Sequence, residues 1–197
     1  MHSSGRASQR GSLMIEVLVT IAIVVIGLWG LMDVQSRLQK SEMESYQRTQ
    51  ALILLNDMAS RMTVNRLVAA NYVTDSLSPA YLGVGMTCEA APAGLVATDM
   101  SQWCQQLQGA AETSGVTNVG AMVGGRGCVQ PFGTEPNTYL VTVVWQGLTP
   151  VAAPPVEVDC GEDLYDLPAG SDCESVADAC RRYVTTLVRV ADLVVAP

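Results

Sequence analysis

One apolar run near the N-terminus constrains this chain more than any other feature. From Ser12 to Met32 the sequence has 21 residues with a single charged side chain, Glu16. An α-helix rises 1.5 Å per residue, so the run is about 31 Å long, which is enough to cross the hydrocarbon of a bilayer. The run therefore predicts a transmembrane helix.

Glu16 is unusual within such a helix. A carboxylate inside a membrane span costs on the order of 2.5–3.5 kcal/mol on insertion scales, and it usually marks a function with a partner charge. A cut after Gly11 creates an α-amino group at Ser12, which is a cation in the same apolar setting and can pair with Glu16 of a neighbouring copy. The pattern predicts that Glu16 serves subunit assembly.

The composition of the segment before this run predicts a leader peptide. Residues 1–11 include Arg6 and Arg10, contain no acid and have almost no apolar residue. In a secretory signal peptide the apolar segment precedes the cut and is lost, whereas here it follows Gly11 and stays with the mature chain. A basic leader remains cytoplasmic, so the rest of the chain is expected to face outward.

This block of a basic leader, a glycine, a glutamate five residues later and an apolar helix resembles the processing site of type IV prepilins and the related pseudopilins. The resemblance implies cleavage between Gly11 and Ser12 by prepilin peptidase, and N-methylation of Ser12. The family usually has phenylalanine where this chain has Ser12. The resemblance also implies a single-pass protein held in the lipid of the inner membrane, with its head in the periplasm, that later enters a pilus fibre at the cell surface.

The region after the span continues the helical pattern. Asp33 to Ala70 contains neither proline nor glycine, which predicts that the helix continues. Four apolar residues at helical spacing are expected to face a sheet: Leu52, Leu55, Ala59 and Met62. The expected organisation is a leader (1–11), a transmembrane half of the helix (12–32), an amphipathic second half (33–70) and a globular head (71–197).

The head has signals for one short helix and several strands. Residues 98–108 predict a helix capped by Thr98 or Asp99, with Trp103 on its buried face. The glycines of 124–127 indicate a turn, and the cysteine, valine and glutamine that follow suggest a strand. Alternating β-branched and aromatic residues predict two further strands, 137–146 and 181–190. We expect an α+β fold in which an antiparallel sheet packs on the long helix.

All six cysteines follow the apolar run: Cys88, Cys104, Cys128, Cys160, Cys173 and Cys180. An even set confined to the exported part predicts disulfides, although six cysteines allow 15 pairings. The expected pairs are Cys88 with Cys104 and Cys160 with Cys173 as local loops, which leaves Cys128 for Cys180. No metal centre is expected, because no Cys-x-x-Cys pair is present and the one histidine is in the leader.

The charge of the chain limits its ligands. The whole sequence has net charge −8, and from Asn71 onward four arginines face fourteen acids, a difference of −10. A head this acidic is not expected to bind nucleic acid, which needs a basic surface. Carboxylates crowd residues 157–178, but their spacing does not follow a calcium-binding EF-hand loop, so we interpret them as a solvated acidic face and expect no cofactor.

No enzyme is expected, because the head has no histidine to activate a serine or cysteine nucleophile. The glycine turn and the two strands resemble the head of PilV-type minor pilins, also called pilus modification proteins. The resemblance implies a noncatalytic minor pilin that primes or caps a type IV pilus used in twitching motility, with other minor pilins and the major pilin as partners. Alternatives are a minor pseudopilin of a type II secretion system, a tip adhesin or ligand-binding subunit, and, least favoured, an anchored enzyme.

Overall fold

The computed structural model describes residues 10–75, 77–90, 92–110, 113–115, 117–118, 122–166 and 170–191. Most of the leader, residues 1–9, lies outside this part. The chain divides into two compact units, residues 1–43 and residues 44–197, which are described separately.

The first unit consists of the beginning of helix α1, which extends over Arg10–Val64. Every side chain from Met14 to Met43 is exposed within the chain. Within the described residues, α1 is the one helix that is long and apolar enough to cross a membrane. Its length and composition are compatible with a single-pass membrane anchor.

The second unit begins with the rest of α1, which ends earlier than the sequence indicates. The α-helix stops at Val64 instead of continuing to Ala70, and a 3-10 helix, Arg66–Tyr72, follows it. Asn65 has non-helical backbone angles, and its side chain bonds to Tyr72 and to Asp99 of another helix. Tertiary hydrogen bonds therefore end the helix where the sequence has neither glycine nor proline.

A four-stranded antiparallel sheet forms the centre of the second unit, as the expected α+β class requires. Its spatial order is β1, β4, β5, β6. The strands are β1 Leu82–Gly83, β4 Arg126–Pro131, β5 Thr138–Gln146 and β6 Arg181–Arg189, and a separate hairpin pairs β2 Thr113–Ser114 with β3 Thr117–Asn118. Helix α2 covers Leu95–Leu107, and a 3-10 helix covers Asp172–Ser175.

The core lies between the second half of α1, α2 and one face of the sheet. The sheet contributes alternate residues of β5 and β6: Tyr139, Val141, Val143, Trp145, Val184 and Val188. The expected helix stripe was partly wrong, because Leu52 is 41 % exposed and Ala59 is only partly buried. The buried face includes Leu55 and Met62 of the expected stripe, but Leu52 and Ala59 are replaced by the residues that precede them. Its members are Ala51, Leu54, Leu55, Met58 and Met62.

Helix α2 begins at Leu95, four residues earlier than a cap at Thr98 would place its first residue. Gly94 is at its N-cap, and Asp99 lies inside the helix, buried, so the cap expected at Thr98 or Asp99 was wrong. Asp99 instead receives tertiary hydrogen bonds from outside the helix. Trp103 is fully buried, as its spacing predicted, and its Nε1 donates to the carbonyl of Leu54 on α1 at 2.9 Å.

Three disulfides join the six cysteines, and two of the expected pairings were wrong. Cys88 pairs with Cys104 as expected, but Cys128 pairs with Cys160 and Cys173 with Cys180. Cys128 is on β4 and Cys180 directly precedes β6, and these strands lie on opposite sides of β5. Two strand spacings are about 9.6 Å, beyond the Cα separation that a disulfide spans.

Candidate functional site

The N-terminal site is an exposed apolar helix surface with one carboxylate. Glu16 is exposed on α1 between Ile15 and Val17, both of which are also exposed. The backbones of Gly11 and Ser12 belong to α1, and the Ser12 side chain lies outside the described part. Positions four apart lie on the same helix face, so the backbone of Ser12 is one turn before Glu16.

Other polar groups of this surface have partners within the helix. Thr20, one turn after Glu16, donates its hydroxyl to the carbonyl of Val17 at 2.9 Å. Arg37 and Asp33 form an exposed ion pair at 3.0 Å beyond the apolar run. Among the described side chains, no cation lies within ion-pair distance of Glu16.

Glu44, the first residue of the second unit, connects α1 to the sheet. Its Oε1 accepts from Nη2 of Arg182 and from the backbone N–H of Leu148, both at 3.3 Å. Arg182 also donates to the carbonyl of Thr149 at 2.6 Å. A Cβ on Gly147 would lie 2.6 Å from Cζ of Arg182, so a larger residue there would displace the guanidinium from this position. Sequence reasoning did not find this contact, because its partners are distant in the chain.

A polar cluster joins α1, the first 3-10 helix and α2. Nη1 of Arg61 donates to Oδ1 of Asp99 at 2.7 Å, and its Nε donates to Asp57 at 2.9 Å. The Tyr72 hydroxyl donates to Oδ2 of Asp99 at 2.5 Å, and the Asn65 amide donates to both Tyr72 and Asp99. These hydrogen bonds satisfy one another, so the cluster holds three elements together.

The electrostatics of this cluster follow from its burial. Burial raises the pKa of Tyr72 to about 12, and the hydrogen bond to Asp99 acts in the same direction. Burial lowers the pKa of Arg61, but the hydrogen bonds and charges of Asp57 and Asp99 outweigh it, so the net pKa is raised. The cluster is therefore an ion pair of Arg61 with Asp99 beside a neutral Tyr72 at neutral pH.

The glycine segment around Gly124 packs against an arginine held by two tyrosines. The guanidinium carbon of Arg126 lies 5.2 Å from the ring centre of Tyr81 and 5.0 Å from that of Tyr165. The Tyr165 hydroxyl donates to the Gly124 carbonyl at 2.7 Å, and burial raises the pKa of Tyr165 to about 12 while Arg126 opposes this shift. The turn expected here is present at Gly124, whereas Arg126 and Gly127 already belong to β4.

The acidic segment is organised by Arg181, which is only 3 % exposed. Its Nη1 donates to the carbonyls of Val158 and Cys160, and its Nη2 pairs with Asp178 at 2.9 Å. Asp178 also accepts from the backbone N–H of Asp163, and its own N–H donates to Asp166. Burial raises the pKa of the Asp178 carboxyl while Arg181 opposes the shift. The carboxylates of Asp166 and Asp178 are therefore structural, whereas the other acids of the segment are exposed, as expected of a solvated face: Glu157, Asp159, Glu162, Asp163, Asp172 and Glu174.

The described side chains build no metal centre, and an apolar groove lies beside one disulfide. The described residues include no group of three or more histidine, cysteine, aspartate or glutamate side chains placed to hold a metal ion. An apolar groove of about 280 Å³ lies beside the Cys88–Cys104 disulfide, lined by Leu77, Leu82, Met86 and Met100 among others. Its one ionisable lining residue is Glu89, so it offers no acid and base pair.

Comparison with known proteins adds no assignment. No protein-family model, no curated protein and no solved structure matches the chain. Of the candidate residues, the structure joins all six cysteines in disulfides and leaves Glu16 exposed. It adds Arg61, Asp99 and Arg181, whose partners are supplied by the fold and were not identified from the sequence.

Proposed function

We propose that this chain is a noncatalytic minor pilin of the PilV type, a structural subunit that primes or caps assembly of a type IV pilus. One observation carries the proposal: α1 exposes a continuous apolar surface from Met14 to Met32 with Glu16 as its one charge, and the same helix continues into a disulfide-bonded head. Such a surface needs cover, first from inner-membrane lipid and then from the helices of neighbouring subunits.

Two glycines on this helix support close packing between subunits. A Cβ placed on Gly27 or Gly30 would have nothing within 4 Å, so both positions open onto free space. Small residues let neighbouring helices approach closely within a membrane or a bundle. Partner helices of other minor pilins and of the major pilin are the occupants that fit this strip.

The disulfides support an exported head. All six cysteines are paired, and such bonds form and persist in oxidising compartments such as the periplasm. With the basic leader on the cytoplasmic side, the head is placed in the periplasm before assembly and in the fibre at the cell surface afterwards. Prepilin peptidase is then the partner that cuts between Gly11 and Ser12.

The proposal is tested by the mature N-terminus together with the phenotype of a gene disruption. Intact-mass measurement of the membrane-extracted protein is expected to give a chain that begins at Ser12, with or without one methyl group. A Gly11→Arg variant is the control and should keep its leader. A mature wild-type form that still carries Arg10 contradicts the assignment.

Disruption of the gene separates a minor pilin from a pseudopilin, since both share the N-terminal block. Loss of surface pili and of twitching, with secretion of extracellular enzymes unchanged, supports the minor pilin. The opposite result, normal piliation with secretion abolished, assigns the chain to a type II secretion system. The full-length wild-type gene, supplied in trans, restores the affected process in either case.

A further inference from the structure

Strand β6 forms an edge of the sheet and is paired on one side by β5. Two hydrogen bonds at the ends of β6 show which of its residues direct their backbone groups toward β5. Gly147 N donates to Cys180 O at 2.7 Å, and Val190 N donates to Asn137 O at 2.9 Å. Even-numbered residues of β6 therefore turn their backbone groups toward β5. In antiparallel pairing the alternate residues turn theirs away, which are Tyr183, Thr185, Leu187 and Arg189.

These four outward residues present an unoccupied ladder of donors and acceptors. Within the described ranges, no backbone group pairs with them, while the N–H of Arg181 is already bonded to Asp178 O. Their side chains are exposed on the face of the sheet away from α1, with Tyr183 at 38 % and Leu187 at 46 %. Four consecutive outward positions match a partner strand of about seven residues.

Apart from the arginines at its two ends, β6 lacks the usual features that protect an edge strand. Its nine residues contain no proline, no lysine and no glycine, and its register with β5 is continuous from Arg181 opposite Gln146 to Arg189 opposite Thr138, without a bulge. Natural proteins interrupt exposed edges with such features because a regular edge invites another strand.

We propose that the β6 edge is a docking site for strand addition by an extended segment of a different protein, with an acidic side chain near Arg189 and an apolar one beside Leu187. The backbone ladder supplies the affinity in this recognition mode, and the side chains supply the specificity. The proposal goes beyond the pilin assignment and does not depend on it, because it follows from the sheet of the head.

The charges of β6 and of the head favour a different protein over a second copy of this chain as the partner of the β6 edge. β6 contains no acid, and of its three arginines Arg181 is paired with Asp178 and Arg182 with Glu44, so Arg189 is the exposed cation of this edge. A second copy paired antiparallel about Thr185, the centre of the strand, would place Arg189 opposite Arg181 and bring two heads of net charge −10 together. An acidic side chain on a different protein can pair with Arg189, and a second copy of β6 has no acid to offer there.

The test uses the full-length chain in its own cells, with the photo-crosslinking residue benzoylphenylalanine at Leu187, Thr185 or Tyr183 in separate strains. Mass spectrometry of the irradiated adducts then maps the crosslinked position on the partner. Because strand pairing keeps a fixed register, each two-residue step of the probe is expected to move the crosslink by two residues along one segment of one partner.

A proline substitution at an outward position provides a second test of strand pairing. Thr185→Pro removes one outward N–H at an edge position where strands accept proline, and the adduct from Leu187 should fall by about tenfold. Thr185→Ala keeps the N–H, so its adduct yield should stay within about twofold of wild type. The unfolding midpoints of both variants in detergent show whether the head has kept its fold, and the stepping pattern stands without either variant.

Three results overturn the proposal. The first is an adduct pattern that scatters over several proteins or over lipid. The second is a crosslink to residues 192–197 of the same chain, which would identify an internal occupant. The third is an adduct yield in a folded Thr185→Pro variant that equals that of Thr185→Ala. None of these readouts uses cleavage at Ser12 or piliation, so failure here is distinguishable from failure of the pilin assignment.

Discussion

The indole ring of Trp103 lies directly on the backbone of Gly127. A Cβ placed on Gly127 would be 2.2 Å from Cη2 of Trp103 and less than 3 Å from two further atoms of the same ring. The indole Nε1 is fixed at its other edge by the carbonyl of Leu54. Through this one side chain, α2 contacts both β4 and α1, so the glycine is a requirement of packing.

Gly127→Ala should therefore destabilise the head more than an ordinary glycine substitution. Overpacking of this kind costs about 1–3 kcal/mol, and we expect the upper end because both sides of the indole are held. For a domain of this size the unfolding midpoint should fall by roughly 6–12 °C. Thermal unfolding followed by near-ultraviolet circular dichroism measures the change. The control is Gly133→Ala, where a Cβ meets open space and only the backbone angle (φ +64) opposes it.

A double-mutant cycle separates the contact from other effects of the substitution. Trp103→Phe removes the outer ring atoms that Gly127 contacts, so the added methyl group should cost less in that background. A coupling of about 1–2 kcal/mol is expected. Strictly additive effects would show that the two residues do not act through their contact.

The Tyr72 hydroxyl should make the stability of the head depend on alkaline pH. Its pKa is raised to about 12 in the folded state by burial, from 10 as the ordinary value, so its contribution is full below pH 10. This contribution is lost as the pH rises through 12. Tyr165 has a similarly raised pKa and acts in the same window.

Tyr72→Phe tests this expectation. In wild type the denaturation midpoint should fall between pH 10 and pH 12, and in the variant it should fall less steeply, because only Tyr165 of the pair remains. At neutral pH the variant should lose about 0.5–1.5 kcal/mol with its hydrogen bonds. Urea unfolding at pH 8, 10 and 11 gives both quantities, and equal slopes in the two proteins would remove Tyr72 from the alkaline transition.

The disulfides should differ in how much each contributes to the free energy of unfolding. The Cys128–Cys160 bond has a sequence separation of 32 and the Cys173–Cys180 bond one of 7. In the chain-entropy account, loops of these lengths stabilise by about 4 and about 2 kcal/mol. Paired alanine variants should follow that order in unfolding experiments. Non-reducing peptide maps should contain the Cys128–Cys160 pair, and a Cys128–Cys180 peptide instead would contradict the fold of the acidic segment.

Strands β5 and β6 were predictable from the sequence because alternation is a local signal. β5 and β6 carry β-branched residues on every second position, and the structure places Val143 opposite Val184 with both in the core. Strand ends differ from expectation by only one residue. The buried face of the helix was predicted less well, because the apolar residues of 51–62 occupy more than one face. Contact with the rest of the head decides that Leu54 is buried and Leu52 is exposed, and the sequence does not contain that information.

Long-range pairing was not predictable for a physical reason. Asp99 has the residue type of a helix cap, but its partners Arg61 and Tyr72 are more than twenty-five positions away and give no local signal. The disulfides of Cys128 and Cys180 depend on the sheet order, in which β5 separates β4 from β6. Sequence spacing favours short loops, whereas the fold decides which sulfurs meet.

Glu16 should drive recruitment of the subunit and have no part in its insertion or in folding of the head. Glu16→Leu removes the one charge of the span, so membrane insertion should be equal or slightly better. Thr20→Leu is a matched control one turn away, because the Thr20 hydroxyl is already bonded to Val17 O and needs no outside partner. Both variants should reach wild-type levels in the membrane, with all six cysteines oxidised.

Assembly should separate the two variants. In the fibre the Glu16 carboxylate is expected to face the Ser12 ammonium of a neighbour in a low dielectric, where leaving one charge buried without its partner costs about 3–5 kcal/mol. At 1.4 kcal/mol per tenfold, association with partner pilins should fall by roughly two to three and a half orders of magnitude for Glu16→Leu. A pull-down of detergent-solubilised partners, with a pilus count in the same cells, measures this loss. Wild-type partner capture and piliation by Glu16→Leu would remove Glu16 from the mechanism, whereas an equal loss in Thr20→Leu would show that any change of this helix face disturbs packing.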